Sequence, residues 1–166
     1  MRANSKSKAP KNGFPIRWEG GRSVSANASQ RLPELARGFL AAGNELVTAK
    51  LSFKALHRFR LLTKRLRYTL EMFRPCYGAG LEQRIESLRQ LQQYLGDVND
   101  CATTRDLLAS RDKLPMAERE RLEGILSELA DARIATLYRY WKADFAPERR
   151  ERWWIDYLAR FARSRR

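Results

Sequence analysis

From Leu32 onward apolar residues recur every three or four positions, and no stretch alternates apolar and polar residues as a half-buried strand does. The spacing predicts helices over about 31–49, 53–74, 80–95, 98–111, 115–143 and 147–163. The predicted breaks have chemical reasons. Pro75 cannot continue a helix, and Gly78 and Gly80 just after it allow a reversal. Gly96 reads as a helix C-terminus with positive φ, and Asp97, Asn99 and Asp100 as caps for the helix that follows. Pro115 and Pro147 suit first-turn positions. Gly43 and Gly124 fall inside predicted helices, where a glycine either weakens the helix or marks close packing. Short connections between amphipathic helices predict an all-α, antiparallel helical bundle. Residues 1–27 carry six Lys and Arg against one acid, Glu19, with few apolar anchors, and read as a flexible basic arm; residues 28–163 read as one helical domain.

The helix predicted over 53–74 carries two stripes. Leu56, Phe59, Thr63, Leu66, Leu70 and Phe73 share one face and are assigned to the core. His57, Arg60, Lys64, Arg67 and Glu71 recur with the same spacing on the neighbouring face. Like charges one turn apart cost roughly 0.2–0.5 kcal/mol per pair, and only Glu71 offsets this from within the stripe. Such a row points to an external anion. Arg60 and Arg67 can each grip a phosphate through two parallel hydrogen bonds, and Lys64 supplies a compact charge between them. With about 5.4 Å of rise per turn, successive cations can meet successive groups of an extended polyanion. His57, the sole histidine, stands at the end of the row as a donor rather than a catalyst, and Glu71 is the orienting partner of Arg67 at i+4.

Charge widens the set of anions before chemistry narrows it. Thirty-three Lys and Arg against nineteen Asp and Glu give a net +14, which favours nucleic acid, inorganic phosphate polymers or anionic membrane surfaces. Cys76 and Cys101 form no CxxC pair and the chain has one histidine, so a zinc site lacks ligands; two reduced thiols, with no metal and no cofactor, are expected. The N-terminal stretch has no apolar core of the signal-peptide kind, and no apolar run is long enough to span a bilayer, so a soluble, cytoplasmic protein without a membrane role is expected.

The stretch from Leu56 to Pro75, "LHRFRLLTKRLRYTLEMFRP", followed by "LQQYLGDVNDCATTRDLL", resembles the conserved histidine α-helical domain, CHAD. The family's histidine, arginine three residues on, basic pair, Arg-Tyr and Glu are matched by His57, Arg60, Lys64, Arg65, Arg67, Tyr68 and Glu71, and its later Leu-Gly and Asn-Asp by Leu95, Gly96, Asn99 and Asp100. The motifs cover about residues 50–110. The resemblance implies a four-helix bundle half with an extra terminal helix, whose basic surface binds inorganic polyphosphate, in proteins often found at polyphosphate granules and sometimes fused to a CYTH triphosphate-tunnel domain, of which no segment is visible. It makes His57, Arg60, Lys64 and Arg67 the phosphate contacts. Arg65, which a regular helix points elsewhere, and Tyr68, at the border of the row, are second choices. Arg84 and Arg89, and Arg133, Arg139 and Lys142, are candidate additional cations.

Usual family members have two related helical halves, each with its own basic helix; this chain carries one such motif, worded like that of the second half. A homodimer about a two-fold axis that rebuilds the two-half arrangement is therefore expected. The C-terminal helix, with Trp153, Trp154, Ile155, Leu158 and Phe161, suits either that interface or plain core packing.

Non-catalytic binding of polyphosphate, held by charge and sensitive to salt, is the first functional reading. The alternative is a nucleic-acid binder using the same helix and the basic arm, although the chain has no recognisable base-reading motif. A phosphoanhydride-processing enzyme with His57 as nucleophile ranks below both: the chain has no Walker loop, no acidic cluster suited to a divalent metal and no evident group to activate His57.

Overall fold

Ser23 and Ser52 are followed by helix-forming sequence, and each accepts a hydrogen bond at 3.1 Å from the backbone N–H three residues on. In the computed structural model, which describes residues 19–49, 52–110 and 114–162, these serines open α1 (Val24–Thr48) and α2 (Phe53–Met72). A single 3₁₀ turn at Arg74–Cys76 absorbs Pro75. Then follow α3 (Gly80–Ala109), α4 (Met116–Asp144) and α5 (Glu148–Arg160), the last two opened by Pro115 and Pro147. No strand occurs among the described residues, and the architecture is an antiparallel helical bundle.

Two boundaries differ from the reading of the sequence. The helix expected to start near residue 31 starts at Val24, so residues 24–27 belong to it rather than to an arm. Asn27 is the reason: its buried side chain accepts from Glu19 N–H at 2.9 Å and donates to the Glu19 carbonyl at 3.1 Å, tying the preceding turn to the helix. The remainder of the predicted arm, residues 1–18, lies outside the described residues.

The second difference is larger. Gly96 does not end a helix: α3 runs unbroken for 30 residues, and Asp97, Asn99 and Asp100 sit inside it rather than at a cap. Among the described residues only Gly21 has a positive φ. An interior glycine costs about 0.8–1 kcal/mol relative to alanine, and packing outweighs it. Leu88, Leu91, Leu95 and Val98 carry the buried stripe straight through, and Asp97 holds Arg133 of α4 at 3.1 Å.

α2 lies between α1 and α3, α4 lies along α3, and α5 returns to α1. All six residues assigned to the core stripe of α2 are buried, Thr63 by donating its hydroxyl to the Phe59 carbonyl. The centre of the core is aromatic. Trp141 stacks on Phe145 at 4.8 Å and meets Phe59 and Phe39 edge-on at 5.4 and 5.6 Å, and Phe145 stacks on Trp154 of α5. Gly43 of α1 is where the Trp141 ring fits: a Cβ there would lie 2.0 Å from Cη2. Trp154 and Leu158 are buried in this same core, so much of the apolar face of the C-terminal helix is used within the chain. Cys76 and Cys101 are free thiols. No helix among the described residues is long and apolar enough to cross a membrane.

Candidate functional site

Burial of the Leu56–Phe73 stripe fixes how α2 is rotated, and that rotation brings the basic row to the side of α2 facing α3 and solvent. His57 is exposed, Arg60 and Lys64 are half-buried, and the Arg67 side chain is 16% exposed. Arg65 is half-buried off the row and Tyr68 is exposed.

The row is not uniform along its length. At the C-terminal end Arg67 is committed: its Nε donates to Gln92 Oε1 of α3 at 2.8 Å, its Nη1 donates to Glu71 Oε1 at 2.5 Å, and its guanidinium lies 4.4 Å from the Tyr68 ring centroid. Glu71 also takes Arg89 of α3 at 3.3 Å, and Arg89 continues to Glu86 and Glu82, which in turn holds Arg74. Hydrogen bonding and charge from Glu86, with Glu82 and Glu71 behind it, raise the Arg89 pKa. This end is a closed network of opposite charges.

At the N-terminal end the cations have no such partners. Among the described residues no acid lies within ion-pair distance of Lys54, His57, Arg58, Arg60 or Lys64. Lys54 and Arg58 are exposed cations beside the row that the sequence reading passed over. Arg58 follows Lys54 at i+4, which was the available signal. Gln92 was also missed, because nothing near it in sequence marks it as the residue that holds Arg67.

Three of the further cations proposed from sequence have other work. Arg84 is buried, 2% exposed, between Trp153 and Tyr157 of α5, with its guanidinium 3.5 and 3.8 Å from their ring centroids. It donates to the carbonyls of Gly80 and Trp153, and burial lowers its pKa to about 10. It fastens α5 to α3 and is no part of a surface. Arg89 is held by its acids and Arg133 by Asp97. Arg139 and Lys142 are exposed on α4, whose main neighbour is α3.

The pairs Arg67–Gln92, Glu71–Arg89 and Phe53–Arg105 set the antiparallel register of α2 on α3. Lys64 is thereby level with Gly96, Arg60 with Asn99 and His57 with Ala102. The second sequence motif therefore runs beside the first.

A family model, CHAD domain, matches residues 5–109. The chain belongs to the CHAD domain family. No curated protein and no solved structure matches it. The CHAD match covers α2, which carries the basic row, and α3, which packs beside it, and ends with α3. α4 and α5 lie beyond the match and complete the core of this CHAD chain through Trp141, Phe145, Trp154 and Leu158. Among its described residues no group of three or more His, Cys, Asp and Glu is placed to hold a metal ion.

Proposed function

We propose that this CHAD chain binds inorganic polyphosphate, without catalysis, through the half of the α2 row that its own acids leave unneutralised. His57, Arg60 and Lys64 are the contacts, with Arg67 closing the far end; Arg65 and Tyr68 flank them. The observation that carries this reading is the division of the row into a neutralised end and an open one. Cations one turn apart and lacking acids repel, and a polyanion relieves that repulsion by displacing counterions. Among the described residues no acid is paired with His57, which favours a donor over a nucleophile. Granule association in the cytoplasm is the setting such binding implies.

Competition supplies the test. Long-chain polyphosphate is expected to displace duplex DNA at equal phosphate concentration at both low and moderate salt, and no orthophosphate is released. Arg60→Ala is expected to weaken polyphosphate binding by roughly 1–3 kcal/mol, the worth of a charge-assisted contact. Displacement of polyphosphate by DNA instead would favour the nucleic-acid reading, and parental binding by Arg60→Ala and Lys64→Ala would remove the row from the site.

We also propose that two chains associate. Much of the α5 aromatic surface is consumed internally, so the face suited to a second copy is the N-terminal half of α4, where Leu122, Ile125 and Leu129 are exposed. Glu118, Glu120, Glu123, Glu128 and Asp131 make this segment acidic, in contrast to the exposed, basic N-terminal half of α2. Light scattering at micromolar concentration is expected to report a dimer, and a monomer would end the proposal.

A further inference from the structure

α4 carries two apolar stripes, and the bundle uses one of them. Leu137 and Trp141 are buried, and Leu126, Ala130 and Ile134 continue their stripe, half-buried, toward the N-terminal end of the helix. Leu122, Ile125 and Leu129 recur with the same 3,4 spacing on a separate stripe and are 40, 51 and 41% exposed. A lone apolar side chain on a surface is ordinary, but a row of three along one helix face marks a contact.

The charges beside this second stripe say what covers it. Glu120, Glu123 and Asp131, which make much of the segment acidic, fall on the opposite side of the helix. Arg121 and Glu128 fall along one flank of the stripe, two turns apart. Both are exposed, and neither carries an ion pair among the described residues. The other flank belongs to α3, since Arg133 there pairs with Asp97 at 3.1 Å. A flank with a cation toward one end and an anion toward the other is complementary to itself once it is turned end for end.

We infer that the second stripe is the seam of an antiparallel α4–α4 contact between two copies of this chain, closed on its free flank by Arg121 and Glu128. The inference rests on the association proposed above and gives it a register. A two-fold axis crossing α4 beside Ile125 sets Ile125 against its own counterpart and brings Leu122 level with the partner's Leu129. The same axis leaves Arg121 and the partner's Glu128 offset by two residues, about 3 Å along the helix, on one flank of the seam. Two long side chains span that offset, and symmetry makes the pair twice. Glu118, at the end of the stripe, comes level with the partner's Arg133. The seam uses no residue of the basic row on α2.

The test is light scattering over a dilution series of the full chain, with Arg121→Glu, Glu128→Arg and the two combined. Each single change sets like charges against each other at both pairs and is expected to weaken the dimer about tenfold or more. The double variant restores opposite charges and is expected to return to within about threefold of the parent. Both positions are exposed, so far-UV circular dichroism is expected to match the parent throughout. Ile125→Cys, oxidised with diamide, is expected to give a covalent dimer that the parent, with Cys76 and Cys101 alone, does not. Parental dimerisation in both single variants, with no cross-link through position 125, would overturn the seam and leave the association standing. A double variant as weak as the singles would overturn the pairing of Arg121 with Glu128. Tighter association in Arg121→Glu with weaker association in Glu128→Arg would overturn self-pairing and place the acidic α4 of one copy on the basic α2 of the other. A parent that stays monomeric would take down the association and the seam together.

Discussion

Alanine in place of Gly43 should unsettle this protein, although alanine is ordinarily the better helix residue. The added Cβ would stand 2.0, 2.1 and 2.7 Å from Cη2, Cζ2 and Cζ3 of Trp141. Carbon atoms pack comfortably at about 3.5–4.0 Å, so the indole would have to withdraw by about 1.5 Å. It has nowhere to go: it is 1% exposed, stacked on Phe145 and edged by Phe39 and Phe59, and its Nε1 donates to Asn44 Oδ1 at 2.9 Å. Overpacking of this kind costs about 1–3 kcal/mol, and losing the Asn44 hydrogen bond adds about 1 kcal/mol. The helix preference of alanine returns about 0.5–1 kcal/mol, leaving a net loss of roughly 1–3.5 kcal/mol. For a chain of this size that is roughly 2–14 °C in Tm. Gly124→Ala is the control, since nothing lies within 4 Å of a Cβ there and the same substitution should stabilise by about 0.5–1 kcal/mol. Urea unfolding followed by far-UV circular dichroism reads both. Gly43→Ala combined with Trp141→Phe should be less destabilised than the two single changes summed, because a phenyl ring lacks the six-membered half of the indole that the Cβ meets. A Gly43→Ala protein as stable as the parent, or shifted upward like Gly124→Ala, would refute the reasoning.

Three further outcomes follow from contacts described above. Arg84→Ala should cost about 2–4 kcal/mol in urea unfolding, because it empties the space between Trp153 and Tyr157 and strands the Gly80 and Trp153 carbonyls, yet polyphosphate affinity of the folded variant should be unchanged. Arg67→Ala should destabilise by about 1–2 kcal/mol, since it leaves the Gln92 Oε1 without its donor and Glu71 with Arg89 alone, whereas Lys64→Ala should stay within about 0.5 kcal/mol of the parent. Tyr140 donates to the Ser87 carbonyl, and burial followed by the Asp144 charge raises its pKa from 10.0 to about 12. Its contribution is complete below pH 10 and is lost as pH climbs from 10 towards 12, so Tyr140→Phe should show a shallower decline in stability across that window. Burial also raises Tyr77, which adds to the decline, while Arg84, lowered to about 10, opposes it; both are common to parent and variant, so the difference between their pH profiles isolates Tyr140.

The helical class and the core stripe of α2 were legible because both rest on local spacing. Boundaries were less so, and Gly96 explains why. Followed by Asp97, Asn99 and Asp100, it has the wording of a stop and a new cap, but Leu95 and Val98 lie on a stripe whose neighbours are on other helices, and their burial outweighs the local preference. The start of α1 lies seven residues before the predicted one, and Pro33 falls inside the helix, because Asn27 anchors the turn that precedes it. The basic row itself was visible from its spacing, as was Glu71 as a partner for Arg67. Its division into a closed and an open end was not, because Arg89 and Gln92 reach it from α3 and no rule of sequence spacing pairs them with Glu71 and Arg67. Arg84 was misread as a surface cation for the same reason, its two aromatic neighbours lying about 70 residues away in the chain.

Between Ala102 and Ala132 only Leu108 is buried among the described residues, although both helices continue without a break. The outer part of the α3–α4 hairpin therefore leans on its own backbone hydrogen bonds and has little apolar surface to lose when it opens. Regions of that kind open locally at a free energy well below that of global unfolding. Amide exchange should consequently be fast there and slow in the segment from Ile85 to Val98, dividing α3 into two kinetic halves within one continuous helix. A partner seated on Leu122, Ile125 and Leu129 would slow the outer half and leave the inner half unchanged.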